Sequence, residues 1–268
     1  MRVLVTGATT PLGAAIVDHL LERDDVERVL AIAREPDAGI RGDRLLYRSV
    51  DLARARSVHD LVWGEARMHA ITHVAHAGGP VKEMLHACAH HPTIHRFIYR
   101  STSEVYARRA DLIDEDAAIE LSPAMPPWLR DRVQADLAVC AHLGGPLEIA
   151  VLRLAELVAP GVDSPLWDFL SARVCLRPIG FDPMLNALSL EDAAEAFGAA
   201  LESHEVGVFN IPGYDTLPLS RAIAESDRVA LPVPSRLVAS RLRFGGVLDG
   251  GRARATLGYE PHTPVSWT

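Results

Sequence analysis

A short apolar run, Arg2-Val3-Leu4-Val5-Thr6, opens directly into the loop Gly7-Ala8-Thr9-Thr10-Pro11-Leu12-Gly13. Residues 13–23 follow with helical period, placing Ile16, Val17 and Leu20 on one side. A buried strand that feeds a helix through a glycine loop permits few folds. Gly7 can take the backbone of a sharp turn, and Gly13 lets the helix pack closely on a sheet. The free N–H groups at the helix start suit a pyrophosphate, so Gly7 and Thr9 to Gly13 are read as the phosphate side of a dinucleotide site. Thr10 stands where a third glycine would let the ligand approach the backbone. Its branched side chain is expected to weaken binding or change the cofactor pose.

The pattern then repeats. Residues 28–33, 45–50, 72–77, 95–100 and 149–154 read as short buried strands, with helices over 54–63, 81–91 and 128–143 between them. This alternation predicts an α/β fold, a mostly parallel sheet with helices on both faces. Residues 190–203 form a further helix, 206–211 a strand, 216–227 the start of a helix and 257–264 an irregular surface tail. The expected organisation is a dinucleotide-binding core over residues 1–165. Residues 166–268 are mainly a small substrate lobe, with elements returning to the core.

Composition narrows the function. The net charge of -8 argues against a nucleic-acid partner. Cys88, Cys140 and Cys175 are too widely spaced for a CxxC pair or a disulfide framework. No run of about 18 apolar residues suggests a membrane span, and the expectation is a soluble cytoplasmic protein with a small-molecule substrate. His86, His90, His91 and His95 are numerous but match no metal-ligand spacing, so no metal is expected.

The second strand ends in Ala33-Arg34-Glu35. A 2'-phosphate wants a guanidinium at this strand tip, whereas a ribose 2'-hydroxyl wants an acid. Arg34 favours NADP(H) over NAD(H), and Arg41 could add charge; Glu35 argues the other way. Asp51 and Leu52 after the third strand are placed near the adenine, although Asp51 could equally cap the helix that follows.

These residues resemble the extended and atypical short-chain dehydrogenase/reductases, in particular the NAD-dependent epimerase/dehydratase family. The likeness is carried by TGATTPLG (6–13), VDL (50–52), HVAHAGGP (73–80), FIYRSTSEVYA (97–107), VLRLAELVAPG (151–161), LSLEDAAEAF (188–197), GVFNIPG (207–213) and LGYEPHTP (257–264), in order along nearly the whole chain. It implies a Rossmann-like sheet domain with a small C-terminal substrate lobe. It also implies that Ala75, His76, Ala77 and Gly78 line the nicotinamide ribose. The family's catalytic Ser/Thr matches Thr102, with Ser101 and Ser103 beside it. Such a hydroxyl can donate to a carbonyl oxygen as charge develops; the alternative is that it only caps a turn. Tyr106 and Arg153 are candidate substrate contacts, each with a structural alternative. Family members often dimerise through helices matching 81–91 and 128–143, so a monomer or a homodimer is expected.

The resemblance breaks at the family's YxxxK pair. The best register, PWLRDRVQAD (127–136), puts Trp128 at the tyrosine and Arg132 at the lysine. An indole N–H has no accessible acid–base role. Arginine can hold a ribose or phosphate but with another reach and shape. No tyrosine lies between Tyr106 and Tyr214, and the chain has one lysine, Lys82, against 26 arginines. Trp128 is therefore counted with the substrate side and Arg132 with the cofactor side. Two functions remain open. One is an NADPH-dependent reductase of an activated ketone, such as an aromatic polyketide, that works without the usual tyrosine. The other is a non-catalytic NADP(H)-binding regulator, sensor or scaffold.

Overall fold

The computed structural model describes residues 1–36, 39, 42–107, 112–235 and 246–267. In chain order the elements are β1 (Arg2–Thr6), α1 (Pro11–Glu22), β2 (Arg28–Ala33), β3 (Leu45–Ser49), α2 (Ala55–Asp60, continuing as a π-turn over Leu61–Ala66), β4 (His73–His76), α3 (Lys82–Ala89), β5 (Arg96–Thr102), β6 (Leu112–Ile113) and α4 (Pro127–Cys140). There follow β7 (Glu148–Leu154), β8 (Glu156–Leu157), α5 (Pro165–Leu170), β9 (Val174–Ile179), β10 (Met184–Leu188), α6 (Leu190–Glu202), β11 (Gly207–Ile211), β12 (Asp215–Pro218), α7 (Leu219–Glu225), β13 (Val229–Pro234), β14 (Val247–Leu248) and a last helix, Gly251–Leu257.

Seven strands form one parallel sheet in the order β11-β7-β5-β4-β1-β2-β3. Strands buried on both faces read as continuous apolar runs, as Val3–Val5 and Val29–Ile32 do. One core lies between the sheet and α1 and α6, built around Ile16, Leu20, Ile98 and Phe197. The other lies on the opposite face, against α2, α3 and α4, around Leu30, Val62, Met84 and Phe97. The chain reverses direction across the sheet between β1 and β4, which leaves a crevice above the carboxyl ends of the strands.

The later residues divide between two places. β11 joins the edge of the large sheet beside β7, and α6 packs against α1. β8, β10 and β12 form a separate small sheet over a third core that includes Leu166, Leu185 and Ile223. One expectation is corrected here. The segment 216–227 begins as strand: β12 pairs antiparallel with β10, and the helix starts only after Pro218, which cannot supply an N–H to continue either element. The tail past Leu257 is irregular, with Gly258, Glu260, His262 and Pro264 exposed, and it is pinned between them. Tyr259 is 2% exposed and its hydroxyl donates to the Pro212 carbonyl, while Asp192 accepts from the His262 and Thr263 amides and Asp215 from the Val265 amide. Arg41 lies outside the described residues. No helix among the described residues is long and apolar enough to cross a membrane.

Candidate active site

The crevice has a nucleotide end and a chemical end, joined at Gly78-Gly79. At the nucleotide end, Gly7 has φ +69°, and a Cβ there would lie 3.0 Å from the Gly78 backbone. A Cβ on Gly13 would collide with the Gly7 carbonyl oxygen. Gly13 is thus required for the loop to close on itself rather than for helix-on-sheet packing. Thr10 is the N-cap of α1: its Oγ1 accepts from the Gly13 amide (3.1 Å) and donates to the Gly7 carbonyl (2.7 Å). The hydroxyl is folded back onto the loop, so the expected crowding of the phosphates by this group is replaced by a cap, which satisfies one of the helix's orphan amides. Pro11 fills the first helical position, where its missing N–H costs nothing. Leu12 is buried in the core, so its side chain is unavailable to a ligand.

Beyond this loop lies a cleft of ≈ 640 Å³, walled by Thr9, Ala33, Arg34, Glu35, Leu52 and Gly79 among others. Arg34 is exposed, with its Nη2 3.9 Å from Asp51 Oδ1. Glu35 accepts from Thr9 Oγ1 at 2.8 Å, and this bond holds its carboxyl below the ordinary range. Asp51 accepts from the Ala53 amide (3.1 Å) and pairs with Arg54. It shapes the turn before α2, and Leu52 is the member of the pair that lines the cleft.

The chemical end is a cleft of ≈ 550 Å³ lined by residues of three segments: His76–Gly79, Tyr99–Thr102, and Arg132 with Asp163. Ala75 is buried within β4 and does not line it. His76 is buried, with Nε2 3.0 Å from the Gly79 carbonyl and Nδ1 3.0 Å from Thr6 Oγ1. A carbonyl can only accept, so Nε2 carries the proton. Burial lowers the ring to about 4, which leaves Nδ1 as an acceptor for the Thr6 hydroxyl. The one proton of that hydroxyl is shared between Nδ1 and the Gly78 carbonyl (2.9 Å), which ties β1 to the Gly78 turn. With both nitrogens engaged, His76 positions backbone and is not a proton relay.

Thr102 ends β5 in the cleft. Its Oγ1 donates to Glu104 Oε2 (3.3 Å) and accepts from the Glu104 amide (3.4 Å), so it also caps the short turn Ser103–Val105. Five other candidates are corrected. Ser101 Oγ donates to Asp136 Oδ1 at 2.5 Å. Asp136 also takes a two-pronged pair from Arg153, 3.1 and 2.7 Å, wholly buried. Arg153 in turn lies over the Tyr106 ring (4.7 Å), and the Tyr106 hydroxyl donates to Asn210 Oδ1 (2.7 Å). Ser101, Tyr106 and Arg153 therefore spend their polar atoms on a brace joining β5, β7, β11 and α4, in which Asp136 compensates the buried Arg153 charge. Trp128 is 40% exposed beneath the Arg132 guanidinium (5.2 Å) and does not fill the cleft. Ser103 supplies a carbonyl to the Tyr106 amide but does not line the cleft.

Arg132 does line it, held by an ion pair with Glu104 and another with Asp163 (2.7 Å). Burial raises the Glu104 carboxyl above its usual range even with Arg132 opposing it. Sequence reasoning missed Glu104, Glu156, Asp163, Arg100 and Tyr99. The available signal was an acid placed inside an apolar strand run, VLRLAELV, since lone buried acids are rare. Of the histidines noted in sequence, His91 turns Nδ1 to the Thr93 and Ile94 amides (both 3.3 Å), and its ring packs on Trp63.

A glycine loop at a helix N-terminus, a polar strand tip and a crevice at the sheet's reversal together define a dinucleotide-binding α/β protein. Residues 3–174 match the NAD dependent epimerase/dehydratase family, and the chain belongs to it. It is 26% identical to the uncharacterized protein Rv0501 of Mycobacterium tuberculosis over an alignment of 307 positions, gaps included, covering 99% of this chain and 80% of that one. The fold is shared with dTDP-glucose 4,6-dehydratase DesIV of Streptomyces venezuelae, solved with NAD and TYD (TM-score 0.78, 17% identity, 98% and 93% of the two chains). It is also shared with UDP-glucuronic acid 4-epimerase of Bacillus cereus, solved with UDP-glucuronic acid and NAD (TM-score 0.77, 17% identity, 99% and 96%).

Proposed function

We propose that the protein is a nicotinamide-dependent reductase of an activated ketone, using NADPH in preference to NADH. The observation that carries this reading is the chemical-end cleft: Thr102 lines it, and Trp128, at the family's tyrosine position, stands outside it. Gly7, Gly13 and Gly78 let the loop and the neighbouring turn pack backbone against backbone, and the free amides this leaves at the start of α1 fit the pyrophosphate of a dinucleotide. Arg34 at the strand tip would hold a 2'-phosphate, and Leu52 with Val50 would flank the adenine. When bound, the reduced cofactor supplies hydride to a carbonyl carbon. Thr102 Oγ1 would turn its proton from Glu104 to the ketone oxygen and stabilise the charge that develops there. Arg132, charged in every state, stabilises the same region electrostatically while Glu104 and Asp163 hold it in place. A ketone flanked by electron-withdrawing or aromatic groups needs the least help from an acid, which suits a site without the tyrosine. A polycyclic aromatic ketone is the substrate class in view, with the protein acting as a monomer or homodimer.

The second reading, a non-catalytic NADP(H)-binding protein, is favoured by the locking of Arg132 between two acids. Stopped-flow mixing of the NADPH-loaded protein with trifluoroacetophenone separates the two. NADPH oxidation supports the reductase; tight NADPH binding with no oxidation by any activated ketone or quinone supports the binding protein.

A further inference from the structure

A ketone reduced in this cleft needs a proton at oxygen, and the obvious donors are spent. Ser101 gives its proton to Asp136, Tyr106 to Asn210, and His76 is a neutral ring with both nitrogens engaged. Next to the cleft is a narrow hollow, with room for about one water, which shares Arg100, Ser101, Thr102, Arg132 and Asp163 with it and is also lined by Glu156. Glu156 opens β8, two residues past the end of β7, and is 7% exposed. Its Oε2 accepts from Ser164 Oγ (2.9 Å) and, weakly, from the Leu166 amide (3.4 Å). Its Oε1 is buried and has no hydrogen-bond partner. No cation forms an ion pair with it among the described residues.

A bare, buried carboxylate oxygen is costly. A neutral carboxylic acid in the same place has instead a proton to offer and lacks only an acceptor. A carbonyl oxygen held beside Thr102 is an acceptor of the required kind. We propose that Glu156 is the catalytic acid of this site, passing the proton on its unpartnered oxygen to the oxygen of the bound ketone. The assignment rests on the reductase reading given above. The balance is simple. The carbonyl carbon gains hydride from the reduced nicotinamide, and the C=O π pair moves onto oxygen. That oxygen takes the Glu156 proton, the O–H bonding pair stays on the carboxylate, and water reprotonates Glu156 after the alcohol leaves. The surroundings agree: burial, with the Glu104 charge adding to it, pushes the Glu156 carboxyl up to about 8, so the acid form is the resting form at neutral pH.

The test compares wild type, E156Q, E156D and Y99F, the last because Tyr99 also lines the cleft. Infrared difference spectra of the NADPH-bound proteins report the carboxylic-acid band across pH. Stopped-flow oxidation of bound NADPH by trifluoroacetophenone reports the chemistry, and circular dichroism reports folding. The expected result is an acid band that fades as pH rises through about 8 in wild type and Y99F and is missing from E156Q. E156Q should bind NADPH normally and reduce the ketone about 10²–10⁴-fold more slowly. E156D should recover part of the rate with a displaced pH midpoint. The assignment is overturned if E156Q reduces the ketone at the wild-type rate, if Y99F alone abolishes turnover, or if the band is already gone at neutral pH. The failures separate. A wild type that reduces the ketone with E156Q equal to it removes Glu156 and keeps the reductase; a wild type that binds NADPH and reduces no ketone removes both.

Discussion

Arg132 from α4 and Glu104 from the turn after β5 form an ion pair at the chemical end of the cleft, with Asp163 completing the clamp on the guanidinium. The glutamate is almost entirely buried, and its other oxygen, Oε1, has no partner. The arginine at the family's lysine position is thus fixed by its neighbours rather than free to follow a ligand.

Removing one partner leaves a buried charge uncompensated. Arg132→Met is expected to destabilise the protein by about 3–5 kcal/mol, read as a drop in the urea midpoint. Adding Glu104→Gln should restore part of that loss, and a double-mutant cycle measures the coupling. Strict additivity of the two changes would show that the pair contributes nothing.

Arg34 is exposed and only loosely engaged, 3.9 Å from Asp51, so its guanidinium is available to a 2'-phosphate. Titration of cofactor fluorescence should give tighter binding of NADPH than of NADH, by about tenfold or more for one charge-assisted contact. Arg34→Ala should bring the two constants together. Equal affinities in the wild type would remove the NADP assignment.

Thr102→Val keeps the shape of the side chain and deletes the donor. It should lower single-turnover reduction by about 10²-fold, the usual cost of one polarising donor, with NADPH affinity unchanged. An unaltered rate would move the polarising role elsewhere in the cleft.

Burial lowers both His73 and His76 from the ordinary histidine value to about 4. Between about 4 and 6.5 the unfolded chain therefore binds protons that the folded chain refuses. Their contribution is complete above about pH 6.5 and is lost as pH falls toward 4. Urea midpoints at stepped pH should decline over that window, and His73→Gln should flatten part of the slope. A variant whose slope matches wild type would exclude His73 as a source.

The parallel sheet was legible because strands covered on both faces must be apolar throughout, and Val29–Ile32 or Ile149–Leu152 leave little choice. The nucleotide loop was legible because Gly7 and Gly13 answer to backbone geometry, which one residue type reveals by itself. The chemical end was harder to read. Whether Ser101 faces a ligand or a carboxylate depends on Asp136, 35 positions away, and whether Arg153 meets substrate depends on the same residue. Glu156 stood out only as an acid inside an apolar run; that it borders the hollow beside Thr102 with one oxygen unpartnered depends on the tertiary packing. Strands β9, β12 and β13 escaped because Pro178, Pro218, Pro232 and Pro234 interrupt the usual patterns, and β8 because it is only two residues long.

The lone lysine has a practical consequence. Lys82 is exposed in the first turn of α3, two residues past Pro80, which borders the nucleotide cleft. Apart from the chain's own amino terminus, it is the one primary amine an acylating dye can reach. Once the amino terminus is blocked, a single fluorophore can be attached beside the cleft, and its quenching would follow ligand entry directly.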